Sequence, residues 1–199
     1  MRIGVFGGTF DPLHNGHLMI ALEVRHRLAL DRMLLVVAND PWQKAEIEVT
    51  PAAIRYELVA ETVACIDDRM GEVALEVSDI EIRRGGPTYS ADTLATLQGA
   101  DPDAELFLVV GSDTAGSLAT WKRPDEIRRS ATTVVVDRGG RVGGRPPDGW
   151  PHIVVDVPLM EVSSSDLRRR VAEGAPVEAF VPPTVIDGIR RHGLYRRTS

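Results

Sequence analysis

Two histidines, His14 and His17, stand three residues apart in the run Gly7-Gly8-Thr9-Phe10-Asp11-Pro12-Leu13-His14-Asn15-Gly16-His17. A strand pattern, Arg2 to Phe6, precedes this run, and a helical pattern, His17 to Leu30, follows it. The diglycine lets the backbone bend sharply and lets a ligand approach where a Cβ would collide. Thr9 and Asp11 suit a turn or cap, and Pro12 suits a position just outside regular structure. A helix start offers unpaired N–H groups and the positive end of the helix dipole, which together favour phosphate. Two imidazoles there add donors that can follow charge on a reacting phosphate. Either histidine alone reads as a surface residue, and Asp11 or Asn15 alone as a helix cap. The whole constellation, between a strand and a helix, reads as a phosphate site. Neither G-x-x-x-x-G-K-[ST] nor G-x-G-x-x-G between strand and helix occurs, so a nucleotide would be held by another arrangement.

Other residues carry chemistry further along. Ser163-Ser164-Ser165 precedes a helical pattern that contains Arg168. Alone it is a cap; beside a first phosphate site it equally suits a second one. Asp113 follows an apolar strand, where α/β folds place ligands, and a carboxylate there suits ribose hydroxyls. Tyr89-Ser90 stands near a helix start, and Trp121 offers either core packing or a flat wall for an aromatic ring.

These residues need a frame. Leu34 to Ala38, Leu106 to Val110, Thr132 to Val136 and Ile153 to Val157 read, with Arg2 to Phe6, as strands buried on both faces of a parallel sheet. Ala52 to Ile66, Ala91 to Gln98 and Pro124 to Arg129 read as helices between them. The alternation implies a layered α/β fold with right-handed crossovers. Val73 to Ile82 reads as an additional strand or extended segment. Arg138 to Gly149, rich in Gly, Pro and Arg and without periodicity, reads as a mobile surface loop. Ser163 to Tyr195 reads as two helices separated by Gly174-Ala175-Pro176 and Val181-Pro182-Pro183. They form a C-terminal helical appendix packed on the sheet.

The chain's 199 residues, 29 acidic and 23 basic, carry a formal net charge of -6, which argues against a general nucleic-acid binder. A local phosphate site remains compatible with that balance. One cysteine, Cys65, excludes a disulfide within the chain and reads as a buried structural thiol. No apolar run approaches the roughly 18–20 residues that span a bilayer, so no membrane is expected. No secretory signal pattern opens the sequence, and a cytoplasmic location is expected. The oligomeric state stays open, a homo-oligomer included.

Gly8-Thr9-Phe10-Asp11-Pro12-x-His14-x-Gly16-His17 resembles the signature of the H-x-G-H nucleotidyltransferase superfamily. Within it, several segments resemble the nicotinate mononucleotide adenylyltransferase family, in order and over nearly the whole chain. Pro41-Trp42-Gln43-Lys44 matches a loop ending in a phosphate-binding lysine, although many members carry Pro-His where Trp42-Gln43 stands. Arg84 to Leu94 resembles G-P-[ST]-Y-[ST]-x-D-T-L, and Gly111-Ser112-Asp113 with Trp121-Lys122 resembles G-x-D…W. Val162 to Arg168 resembles I-S-S-T-x-I-R, with Ser165 for the commoner Thr and Leu167 for Ile. Val181-Pro182 through Gly193-Leu194-Tyr195 matches the usual C-terminus.

The resemblance implies a Rossmann-like, doubly wound, mainly parallel sheet. Residues 1–162 would form its core and residues 163–199 the C-terminal helices, in one nucleotidyltransferase domain. It implies adenylyl transfer from ATP to nicotinate mononucleotide, with release of pyrophosphate. His14, His17 and Arg168 would act on the phosphates, and Gly7, Gly8, Thr9, Phe10, Asp11, Ser164 and Ser165 would bind ATP. Lys44, Tyr89, Ser90, Asp113 and Trp121 would bind the acceptor. No protein metal site is expected, and Mg²⁺ would arrive with ATP. The rivals are a sibling acting on nicotinamide mononucleotide or pantetheine phosphate, and a nucleotide-binding regulator without catalysis.

Overall fold

Short apolar runs become six strands among the described residues: β1 (Arg2–Gly8), β2 (Arg32–Val37), β3 (Glu76–Ser78), β4 (Glu105–Gly111), β5 (Thr132–Arg138) and β6 (His152–Val157). The computed structural model describes residues 1–41, 49–140 and 142–196. All pairings are parallel, in the order β3-β2-β1-β4-β5-β6. This is the doubly wound, Rossmann-like order. The chain reverses its direction of winding between β1 and β4, which opens a crevice at their C-terminal ends.

The side-chain alternation of the strands fills two cores. Phe6 of β1, with Met33, Leu35 and Val37 of β2, faces one layer of helices. Ile3 and Val5, with Leu34 and Val36, face the other. The first layer holds α1 (Asn15–Arg27), α2 (Ala52–Met70), α7 (Ser164–Glu173) and α8 (Pro183–His192). The second layer includes α4 (Ser90–Ala100) and α6 (Pro124–Ser130), with the short α5 (Ser112–Ala115) and a 3-10 turn, Leu118–Thr120. A further short helix, α3 (Ile80–Arg84), follows β3.

Several boundaries differ from the sequence expectation for local reasons. Helix α1 stops before Leu30 because Ala29 takes a left-handed conformation, φ 46°, and Leu30 N–H turns back to Arg25 O. Helix α2 continues past Ile66 and ends at Gly71, φ 68°. The segment Val73 to Ile82 is extended only at Glu76–Ser78, then coils into α3. The last two helices join the first core, where Gly188 of α8 meets Leu58 of α2 at a spacing that excludes any Cβ. Cys65 is half-buried on α2, so the buried thiol expected from the sequence is not found. Its place on the helix surface exposes part of it. No helix among the described residues is long and apolar enough to cross a membrane.

Arg55 in α2 is fully buried, at 1% exposure, and its guanidinium is spent on three backbone carbonyls. Nε donates to Thr50 O at 2.7 Å, Nη1 to Thr9 O at 2.7 Å and Nη2 to Asn39 O at 3.1 Å. One cation thereby ties the β1–α1 turn, the end of β2 and the lead into α2. Replacing it would strand three buried acceptors. Arg55→Met is expected to lower unfolding stability by about 3 kcal/mol in urea titration; a loss under about 1 kcal/mol would show that the carbonyls find other donors.

Candidate active site

At the crevice between the ends of β1 and β4 lies a cleft of about 510 Å³. Gly7, Gly8 and Thr9 line it from the end of β1, and His14 and His17 from the start of α1. Nothing stands within 4 Å of where a Cβ on Gly7 would be, so a ligand can approach that backbone closely. Gly8 is glycine for another reason: a Cβ there would sit 2.7 Å from the Phe10 ring. Gly16 lets α1 start close to its neighbours, since a Cβ would stand 3.0 Å from Val162 and 3.1 Å from His14 Nδ1.

His14 is the residue before the first turn of α1, and its imidazole stacks on that of His17, with ring centroids 3.6 Å apart. The His14 N–H donates to His17 Nδ1 at 3.3 Å, so a neutral His17 carries its proton on Nε2. Phe10 meets the His17 ring edge-on at 5.1 Å. His14 is 6% exposed. Burial, and then the charge of Arg138, lowers its pKa to about 4. At neutral pH it is an uncharged imidazole, able to donate one hydrogen bond but carrying no fixed charge.

The structure brings Tyr89, Ser90, Asp113 and Trp121 to the same cleft. Tyr89 and Ser90 start α4, and Asp113 lies in the first turn after β4. Asp113 folds back over Gly111, where a Cβ would overlap its Oδ1 and stand 3.7 Å from Arg138 Nη2. The Trp121 indole N–H is buried without an acceptor among the described residues. Arg123, in left-handed backbone at φ 55°, pairs with Asp92 and so joins the Trp121 segment to the first turn of α4.

Ser163, Ser164 and Ser165 reach the cleft wall from the start of α7. Ser163 caps the helix, accepting Asp166 N–H at 3.1 Å. Ser164 Oγ donates to Pro12 O at 3.0 Å. Arg168 donates from Nη1 to Asp11 O at 2.7 Å and from Nη2 to Ser165 Oγ at 3.2 Å. Phe10 and Asp11 lie behind the wall, at 3% and 2% exposure. The Asp11 carboxylate accepts the Tyr195 hydroxyl at 2.6 Å and Thr50 N–H at 3.3 Å. Lys44, like Trp42, lies outside the described residues.

Sequence reasoning gave no role to three charged residues that line the cleft. Arg138, at the end of β5, lines it, as do Lys122 and Glu81. Arg138 had a usable signal, a basic residue closing a buried valine-rich strand at the ligand-binding end of the sheet. Glu81 had none, because it comes from a segment expected to be extended. It is buried; desolvation raises its pKa, and Thr93 Oγ1 donates to it at 2.5 Å. Among the described residues, no three His, Cys, Asp or Glu side chains gather as metal ligands would.

The chain matches the model of the cytidylyltransferase-like family over residues 5–170. It is 40% identical over 197 residues to a protein of Saccharopolyspora erythraea named "probable nicotinate-nucleotide adenylyltransferase", covering 98% of this chain and 90% of that protein. A protein of the same name from Thermus thermophilus is 40% identical over 196 residues, covering 98% of this chain and all of that protein. The fold matches the nicotinic acid mononucleotide adenylyltransferase of Plasmodium falciparum complexed with NaAD, with a TM-score of 0.78. That match covers 98% of this chain and 97% of that one at 16% identity.

The depressed His14 pKa has consequences that can be measured. Its imidazole should show no titration between pH 5 and 8 by NMR, and a midpoint above 6 would contradict the burial argument. Its folded-state pKa lies below the unfolded value of about 6.5. Between those values the unfolded chain binds the extra proton. Stability from this group is therefore full above about pH 6.5 and lost as pH falls toward 4.

Proposed function

The chain belongs to the nicotinate-nucleotide adenylyltransferase family of cytidylyltransferase-like proteins, and on that premise we propose that its cleft transfers the adenylyl group of ATP to nicotinate mononucleotide. The products are nicotinate adenine dinucleotide and pyrophosphate, a step of NAD biosynthesis. The observation that carries this reading is the stacked His14–His17 pair at the start of α1, at the switch point of the sheet.

The acceptor's phosphate oxygen attacks the α-phosphorus of ATP in line, and the bond from that phosphorus to the β-phosphate's bridging oxygen breaks. A phosphate monoester, with a second pKa near 6, is already largely dianionic at neutral pH, so no protein nucleophile is needed. The protein's work is positioning and charge neutralisation. His17 and His14 donate to the phosphates as the charge moves toward the leaving group. Gly7, Gly8 and Thr9 let the nucleotide lie against the end of β1. Ser164 and Ser165 line the side given to the leaving pyrophosphate, with Arg168 behind them holding Asp11 O and Ser165 Oγ. Arg138, which lines the cleft, adds a cation whose charge acts on His14. Asp113 meets ribose hydroxyls, Trp121 stacks on the pyridine ring, and Tyr89-Ser90 offers donors to its carboxylate. Lys44 holds the acceptor phosphate. Mg²⁺ neutralises polyphosphate charge when bound.

Pyrophosphate release with ATP and a panel of acceptors tests the reading. Nicotinate mononucleotide should turn over faster than nicotinamide mononucleotide and pantetheine phosphate. His17→Ala, still folded, should lose about 10²–10³-fold in turnover. A preference for pantetheine phosphate would replace the acceptor, and silence with every acceptor would favour a nucleotide-binding regulator.

A further inference from the structure

The glycine- and arginine-rich stretch after β5 is built against the cleft. Asp137, buried at the end of β5, receives Arg145 through two bonds, Nη1 to Oδ1 at 3.0 Å and Nη2 to Oδ2 at 2.6 Å. Gly143 N–H points to the same carboxylate at 3.4 Å, and the Ser112 side chain also bonds to it. Arg145 holds its own strand of the loop as well, donating from Nη1 to Gly144 O at 3.1 Å. This pairing, with Arg145 the largest influence, holds the Asp137 carboxyl below the usual carboxylate range.

The ion pair presses two glycines onto the turn that carries Asp113. A Cβ on Gly143 would stand 2.5 Å from Ser112 Cβ and 3.2 Å from its carbonyl carbon. A Cβ on Gly144 would stand 3.0 Å from Ser112 O and 3.2 Å from Gly116 N. Only glycine allows so close an approach, so the loop packs along both ends of the four-residue helix α5. The loop's far end is pinned too, by the Trp150 indole N–H on Thr133 Oγ1 at 2.8 Å. A helix of four residues has little stability of its own and takes its position from its neighbours.

We propose that the Asp137–Arg145 pair and Gly143-Gly144 are positioning residues for Asp113: they clamp Ser112 and α5 so that the Asp113 carboxylate stays over Gly111, aimed at the acceptor. The proposal rests on the acceptor-binding role given to Asp113 above. Neither Asp137 nor Arg145 lines the cleft. Each acts through Ser112.

The test pairs a measurement that needs no turnover with one that does. In Arg145→Ala, amide hydrogen exchange at Ser112–Ala115 should quicken by roughly tenfold in the unliganded protein, beyond any change at the amides of the neighbouring β4 and β5. Exchange there unchanged from wild type would overturn the clamp, whatever reaction the cleft performs. In steady-state assays, Arg145→Ala should raise the KM for nicotinate mononucleotide about fivefold or more while the KM for ATP and kcat move less than about twofold. Arg145→Lys should recover part of that loss through its point charge. Gly143→Ala, which leaves the ion pair intact and pushes Ser112 directly, should show the same split. The double variant Asp113→Ala/Arg145→Ala should be no worse than Asp113→Ala alone. Additive losses, or equal losses in both KM values, would overturn the proposal. Failure of the functional reading looks different, because wild type would then show no turnover with nicotinate mononucleotide while the exchange result stands by itself.

Discussion

The turn between β1 and α1 is gripped from behind, and the cleft depends on that grip. Three links use backbone carbonyls of the turn: Arg55 takes Thr9 O, Arg168 takes Asp11 O, and Ser164 takes Pro12 O. Tyr195 adds a hydroxyl to the Asp11 carboxylate. These donors come from α2, from α7 and from beyond α8. On the proposed reading this loop presents glycine backbone and two imidazoles to a polyphosphate, and it cannot then also be free to move, because misplaced donors stabilise charge poorly. Satisfying its carbonyls with a buried arginine, a half-buried one and a serine hydroxyl fixes it in place.

The same constraint explains the electrical character of the site. Burial keeps His14 neutral, so its contribution is a directed hydrogen bond. Positive charge comes instead from arginine, with Arg138 lining the cleft and Arg168 behind the turn. Arginine keeps its charge at any physiological pH, whereas a buried histidine loses it. A neutral His14 beside fixed guanidinium groups suits the proposed reaction, in which existing negative charge must be moved between phosphates and no strong base is required.

Much of the fold was legible because both faces of the sheet are covered: Leu34 to Ala38 or Thr132 to Val136 can hardly be anything except a buried parallel strand. The H-x-G-H segment was legible as one constellation because its parts are adjacent in sequence, and the structure brings them to one cleft. What was less legible depends on long-range contact. Ser164 and Arg168 were read as phosphate groups, and their observed bonds hold the turn's carbonyls, a role that links residues some 150 positions apart and leaves no local pattern. Asp11 was expected at ATP, yet its carboxylate is taken by Tyr195 and Thr50. Glu81 was hidden by the strand expectation for Val73 to Ile82. Arg138 and the glycines after it were read as surface loop, because close packing of glycine on Ser112 has no signature except the glycine itself.

The central claim is that the cleft aligns two phosphates for direct displacement, with no protein group bonded to phosphorus along the way. The stereochemical course at the α-phosphorus tests it most directly. With ATP made chiral there by a sulfur substitution, transfer to nicotinate mononucleotide should proceed with inversion. Retention would require two displacements through a covalent intermediate on the protein, and would contradict the account.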